Sequence, residues 1–127
     1  MDLQEVPMRS VKQLSESGKR IFFCDLRQAS EEEFLHMLDS LRSQLVNQTR
    51  PYATVFDITD TIITTDISQR SRDLANFTAK QGLTRGTATI GITGIKRVIA
   101  RVVKPNMYWA NDLDDAKRWL LEGDRWK

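Results

Sequence analysis

The sequence predicts a single α/β domain in which a mostly parallel sheet of four or five strands is covered by about four helices. Short apolar, strand-like segments alternate with amphipathic, helix-like segments at the spacing of β-α-β units. A chain of 127 residues can build one continuous core. We therefore expect one domain over 1–127, with its core at about 19–123 and with residues 1–18 and 124–127 peripheral.

The first half of the chain contains two predicted strands and one predicted helix. Lys19–Leu26 is an apolar, strand-like run. Ser30 followed by Glu33 is the pattern of a capping box, in which each side chain binds a free backbone N–H of the other residue. We expect this helix to run to about Asn47, and Tyr52–Ile58, which is rich in β-branched and aromatic residues, to form the next strand.

A polar segment and a second helix follow. Residues 59–66 mix polar and apolar side chains and fit either an extended loop or a further short strand. Asp66 is predicted to cap a helix over 67–81, and Gly82 to end it in a left-handed conformation.

The last third of the chain predicts two more strand–helix units. Thr87–Thr93 is a short buried strand that leads into an amphipathic helix over Ile95–Val103. Asn106–Ala110 is the final predicted strand. We expect Asn111 to cap the last helix and Gly123 to end it.

Positive charge is concentrated in one part of the chain. The net charge is only +2, but residues 70–104 hold eight basic residues against one acid, Asp73, so they carry +7 and the rest of the chain −5. This pattern fits either solvated helix faces or a surface for an anionic partner. Phe77 is the one aromatic residue in this segment, so stacking on nucleic acid is not favoured.

Residues that could perform chemistry are few. The single cysteine, Cys24, lies in an apolar run and is expected to be buried, whereas the single histidine, His36, falls on the polar face of its helix. One cysteine and one histidine are too few to build a Cys/His metal site and do not favour a Cys–His nucleophile–base pair. We therefore expect no metal, no cofactor and no enzymatic activity. Trp119 is expected in the core and Trp126 in a peripheral tail.

The sequence shows no segment for crossing or entering a membrane. The apolar runs are too short to span a bilayer, and the first residues, MDLQEVPMRS, have no apolar signal core. We therefore expect a cytoplasmic protein.

Three segments resemble a known family. They are KRIFFCDLRQASEEEFLHMLDSL, ATIGITGIKRVIARVV and NMYWANDLDDAKRWLLEG. They are similar to the opening strand and helix, the glycine-rich strand and helix, and the closing strand and helix of small stand-alone STAS-like proteins. These are related to the anti-sigma-factor antagonists and belong to the STAS/CRAL-TRIO-like group. The resemblance implies a STAS-like fold and a regulatory role carried out by binding a protein partner.

The resemblance also points to one candidate phosphorylation site. Antagonists that a kinase switches carry Asp-Ser-Ser-Gly after the third strand. With Asp66 aligned on the Asp, Ser68 takes the second serine position, while Ile67 and Gln69 replace the other serine and the glycine. The motif is therefore incomplete.

Two binding hypotheses follow. In the first, a protein partner binds the 59–77 loop and helix, with candidate loop residues Asp60, Thr64, Thr65, Asp66 and Ser68. In the second, the domain carries or senses a small anionic or apolar, lipid-like ligand. Its anionic group would bind a strand–helix turn made of Thr93, Gly94, Lys96 and Arg97. Either role is compatible with a homo-oligomer.

Overall fold

Five strands form one sheet in the order in which they occur along the chain. The computed structural model describes residues 9–92, 107–122 and 125–126. The strands are β1 (Lys12–Glu16), β2 (Lys19–Asp25), β3 (Tyr52–Asp57), β4 (Thr84–Ile90) and β5 (Met107–Ala110). β1 is antiparallel to β2, and all other neighbours are parallel. The predicted α/β class and the mostly parallel sheet are confirmed.

The strand β1 was not predicted. It is an edge strand with only two apolar residues, Val11 and Leu14, near or within it, so it lacks a strong alternating pattern. Ser17 and Gly18 join it to β2, and both have positive φ angles, 53° and 76°. Two such residues favour a tight hairpin turn whose twist matches that of the strands. The Ser17-Gly18 dipeptide was the feature of the sequence from which this hairpin could have been predicted.

Three helices flank the sheet in the described ranges: α1 (Glu31–Leu45), α2 (Thr65–Gln81) and α3 (Leu113–Leu121). The capping box of α1 is confirmed, because Glu33 N donates to Ser30 Oγ at 3.1 Å and Ser30 N to Glu33 Oε1 at 2.8 Å. Gly82 ends α2 with φ 75° and ψ 12°, as expected.

The predicted N-caps of the other two helices are wrong. α2 is capped by Thr64, whose hydroxyl accepts from Ile67 N at 3.2 Å, and Asp66 lies inside the first turn. α3 is capped by Asp112 rather than Asn111, because the Asp112 carboxylate accepts from the backbone N–H three residues later. Both segments contain several capping residues in a row, and the sequence does not select among them.

Other boundaries differ by a few residues. Residues 59–64 form a loop and not a strand. β4 begins three residues before its predicted start and ends at Ile90, and α3 ends at Leu121. The predicted helix Ile95–Val103, the first residue of the predicted strand Asn106–Ala110 and the predicted helix end at Gly123 lie outside the described residues.

The sheet has an apolar cluster on each face. Side chains of α1 and α2 pack with Phe22, Cys24 and Tyr52 on one face. α3 covers Ile21, Ala53, Val55, Ala88 and Ile90 on the other. Cys24 is fully buried, and burial raises the pKa of its thiol to about 12, so the thiol stays protonated near neutral pH.

Trp119 and Trp126 do not lie where the sequence predicted them. Trp119 is half-buried, stacked on Tyr108 with ring centroids 5.0 Å apart, and Arg125 lies 3.8 Å from its ring centroid. Trp126 is also half-buried and donates from Nε1 to Leu120 O at 2.7 Å. Trp119 therefore lies at the edge of the core, and Trp126 packs on its own domain. His36 is exposed on α1, as predicted.

Candidate functional site

The carboxyl ends of the central strands lie together at one edge of the sheet. There Leu26 N donates to Asp57 O at 2.8 Å, and Ile58 N donates to Ile90 O at 2.9 Å, which extends the pairing beyond the strands. In open α/β sheets this edge is where ligands and partners bind, because the loops that follow the strands converge there.

The loop that follows β3 is anchored at its base. Thr59 donates from its backbone N and its hydroxyl to the Asp57 carboxylate, at 3.1 and 2.7 Å. Gln28 N donates to Thr59 O at 3.0 Å, and the Thr61 hydroxyl donates to Leu26 O. These bonds hold the first half of the loop against the segment that follows β2.

The tip of the same loop exposes apolar side chains. Ile62 is 82% exposed and Ile63 is 44% exposed. Among the described residues one other large hydrophobic side chain is exposed, Val46 after α1. We call Ile62 and Ile63 the isoleucine tip. Together they form a small apolar patch on the surface of the loop.

The predicted loop residues surround this tip, and one of them has a structural role. Thr64 caps α2 through its hydroxyl. Asp60, Thr65, Asp66 and Ser68 are exposed, and Asp60 adopts a left-handed conformation with φ 57°. Ser68 lies in the first turn of α2, where its backbone N donates to Thr64 O at 2.9 Å.

A polar cavity of about 540 Å³ lies beside the loop, at the ends of β2 and β3. We call it the carboxyl-edge cavity. It is lined by Arg9, Ser10, Lys12, Asp25, Arg27, Gln28, Thr59 and Asp60. The unpredicted strand β1 begins here because it runs antiparallel to β2, and it brings Arg9 and Lys12 to this edge. Sequence reasoning missed the cavity for that reason.

Ion pairs fix one wall of the carboxyl-edge cavity. Arg27 donates from Nε and NH2 to the two carboxylate oxygens of Asp25, at 2.9 and 2.7 Å. This hydrogen-bonded pairing lowers the pKa of Asp25, so its carboxylate is charged at neutral pH. Arg9 donates to Asp25 O at 3.1 Å and lies 3.4 Å from a carboxylate oxygen of Glu33.

The predicted anion site falls on the segment between Ile92 and Met107. Thr93, Gly94, Lys96 and Arg97 all lie outside the described residues. Of the other basic residues between 70 and 104, Arg70 pairs with Asp39 at 2.6 Å, and Arg85 donates to backbone carbonyls. These two side chains are therefore part of the domain's own surface network.

A wide groove of about 960 Å³ runs along the α1–α2 face of the sheet. Its lining is largely apolar and includes Leu38, Ile67, Leu74 and Trp109. Ile92 and Met107 also line it, and these are the residues at which the described chain stops and resumes.

The described part of the chain has neither a metal-binding cluster nor a membrane-spanning helix. Within residues 9–92, 107–122 and 125–126, no group of three or more His, Cys, Asp or Glu side chains is placed to hold a metal ion. No helix of these ranges has the length and apolar character needed to span a membrane.

The strands and helices of the described residues have a STAS-like fold, as a comparison with solved structures shows. A solved structure from Shewanella loihica PV-4, described as an uncharacterised DUF3478-family protein with a SpoIIAA-like fold, is similar to this chain with a TM-score of 0.59 and 17% sequence identity. The match covers 92% of this chain and 98% of that one. This similarity confirms the fold that the sequence segments predicted. No protein-family model matches the chain, and no curated protein matches it.

Proposed function

We propose that this protein is a non-enzymatic regulatory domain that binds a protein partner through the loop and helix at 59–77. The observation that carries the proposal is the isoleucine tip, because Ile62 is 82% exposed on a loop whose base is anchored. Burying one such side chain in a partner contributes about 1.5–3 kcal/mol. An anchored loop also loses little conformational entropy on binding.

Helix α2 extends this surface. It buries only Ile67 and Leu74 along its 17 residues, and it carries exposed charged side chains of both signs, among them Asp66, Arg70 and Arg72. An apolar centre beside polar and charged groups is the usual composition of a protein–protein interface. We expect the partner to cover the isoleucine tip and the first turns of α2.

Ser68 is the residue through which this surface would be regulated. Its exposure in the first turn of α2 leaves its hydroxyl accessible, and the family resemblance aligns it with a phosphorylated serine. A phosphate there would be tolerated by the helix dipole, and it would add up to two negative charges beside the isoleucine tip. We therefore expect phosphorylation to weaken binding of an apolar partner surface.

The partner surface can be tested by affinity capture from the native host. Wild-type protein is compared with Ile62→Ser and with Val46→Ser, which removes an exposed valine away from the loop. We expect the same partner to be captured by wild type and by Val46→Ser, and to be lost with Ile62→Ser. Equal capture by all three would refute a role for the isoleucine tip.

The regulatory role of Ser68 has its own test. Intact-mass measurement of protein purified from the native host under several growth conditions should show a species heavier by one phosphate, absent from Ser68→Ala. An unmodified mass under every condition would refute the phosphorylation switch, and the proposal of partner binding would still stand.

A further inference from the structure

We infer that the carboxyl-edge cavity binds a small hydroxylated oxyanion, of the class of the phosphorylated or acidic monosaccharides. This inference goes beyond the proposed function and does not rest on it. The cavity volume of about 540 Å³ is within the range of small-molecule sites. Its walls come from three separate segments: the start of β1, the loop after β2 and the loop after β3.

One cation of the cavity has no partner in the described part of the chain. Arg27 is held by Asp25, and Arg9 is bound to Asp25 O and Glu33. Lys12 lines the cavity from β1 and forms no ion pair or hydrogen bond within residues 9–92, 107–122 and 125–126. Lys12 is exposed, and an ammonium group beside a cavity can donate hydrogen bonds to an oxyanion.

The wall formed by the loop after β3 presents the opposite charge. Asp60 also lines the cavity, and it has no hydrogen-bond or ion-pair partner among the described residues. A carboxylate is an acceptor only, so it binds ligand groups that donate, such as hydroxyls. A ligand with an oxyanion at one end and hydroxyls at the other end satisfies Lys12 and Asp60 together. A bare anion would satisfy only Lys12 and would be repelled by Asp60.

Backbone conformation marks the same cavity. In the described ranges three residues other than glycine have a positive φ, and two of them, Gln28 at 55° and Asp60 at 57°, line the cavity. Left-handed backbone is unfavourable for residues with a side chain, and such residues cluster at binding and catalytic sites. Two residues that line the cavity thus have a backbone conformation that is uncommon for residues with a side chain.

The test is isothermal titration calorimetry with the full chain and three probes: inorganic phosphate, glucose and glucose 6-phosphate. We expect glucose 6-phosphate to bind more tightly than phosphate, and glucose not to bind. Higher salt should weaken both anionic probes. Glucose that binds as tightly as glucose 6-phosphate would overturn the inference, and so would an absence of binding by the phosphorylated sugar at millimolar concentration.

Variants separate the two ends of the ligand. Lys12→Met should weaken both anionic probes about tenfold. Asp60→Ala should weaken glucose 6-phosphate, because it removes the acceptor for the hydroxyls of the sugar. It should not weaken inorganic phosphate, because it also removes a repulsive negative charge. Lys80→Met, which removes an exposed lysine at the end of α2, is the matched control and should change neither. Equal effects of Lys12→Met and Lys80→Met, with thermal unfolding unchanged in both, would refute the site.

Discussion

Gly91 follows β4 directly and packs against Thr59 in the loop after β3. Its replacement should show how tightly these two segments are packed. Its φ is +102°, a conformation that residues with a side chain rarely adopt. A methyl group at this position would lie 2.5 Å from Thr59 N and 2.7 Å from Thr59 Cα, whereas ordinary contact begins at 3.4 Å. The obstructing atoms are backbone atoms, so a side-chain rotation cannot relieve the contact.

The expected cost of Gly91→Ala has two parts. Left-handed backbone in an alanine costs about 1–2 kcal/mol. Overpacking against a fixed segment costs about 1–3 kcal/mol. Displacement of Thr59 also strains its bonds to Gln28 N and to the Asp57 carboxylate. We expect the free energy of unfolding to fall by about 3 kcal/mol in total.

Gly82→Ala is the matched control. Gly82 has a φ of +75°, and a methyl group there would meet no heavy atom of the described chain within 4 Å. Only the backbone part applies, so we expect a loss of about 1 kcal/mol. Urea denaturation of wild type and both variants, analysed at a common slope, measures the difference. Equal losses would refute the reasoning, because they would show that the loop yields to the added methyl group at no cost.

Four further substitutions test individual contacts. Ser30→Ala should lower stability by about 1 kcal/mol, because it removes one half of the capping box with Glu33, and an unchanged denaturation midpoint would contradict this. Trp119→Ala should lower the free energy of unfolding by about 3 kcal/mol, because stacking on Tyr108 and packing are lost. Trp126→Ala should lower it by about 1–2 kcal/mol, because the hydrogen bond to Leu120 O is lost. A negligible effect of Trp126→Ala would show that Trp126 does not pack on the domain. Hydrogen bonds, chiefly from Asn111 N, hold the pKa of Asp115 below its ordinary value, so the carboxylate's contribution to stability is complete above about pH 4 and is lost as the pH falls further. Asp115→Asn should therefore lower the free energy of unfolding at pH 7 and make it fall less steeply at acidic pH. Parallel plots of this free energy against pH for the two proteins would disprove the prediction.

Local signals in the sequence predicted most of the elements. The capping box at Ser30 and the glycine after α2 each satisfy backbone groups with nearby residues, so their pattern is visible in a short window. Where several residues could serve the same purpose, as at Thr64 and Asp66, the sequence did not decide between them. β1 was missed because an edge strand buries little and needs few apolar residues.

The candidate sites were less accessible to sequence reasoning. The loop and helix at 59–77 were predicted as a binding surface through the family resemblance. The exposed isoleucines of the loop were not predicted, because the sequence does not show whether an apolar residue is exposed. The carboxyl-edge cavity joins residues about 50 positions apart, from Arg9 to Asp60. The pairing of β1 with β2 and of β2 with β3 brings them together, and these pairings are not encoded in any single segment.

The agreement between strand order and chain order has a consequence for how the domain forms during synthesis. Each strand pairs with the one made just before it, so the sheet can grow strand by strand as the chain leaves the ribosome. The helix α3 comes last, and it covers the face that carries Val55, Ala88 and Ile90. Until α3 is released, that face has no cover from this helix, and a nascent chain stalled before α3 should therefore be a substrate for chaperones that bind apolar surface.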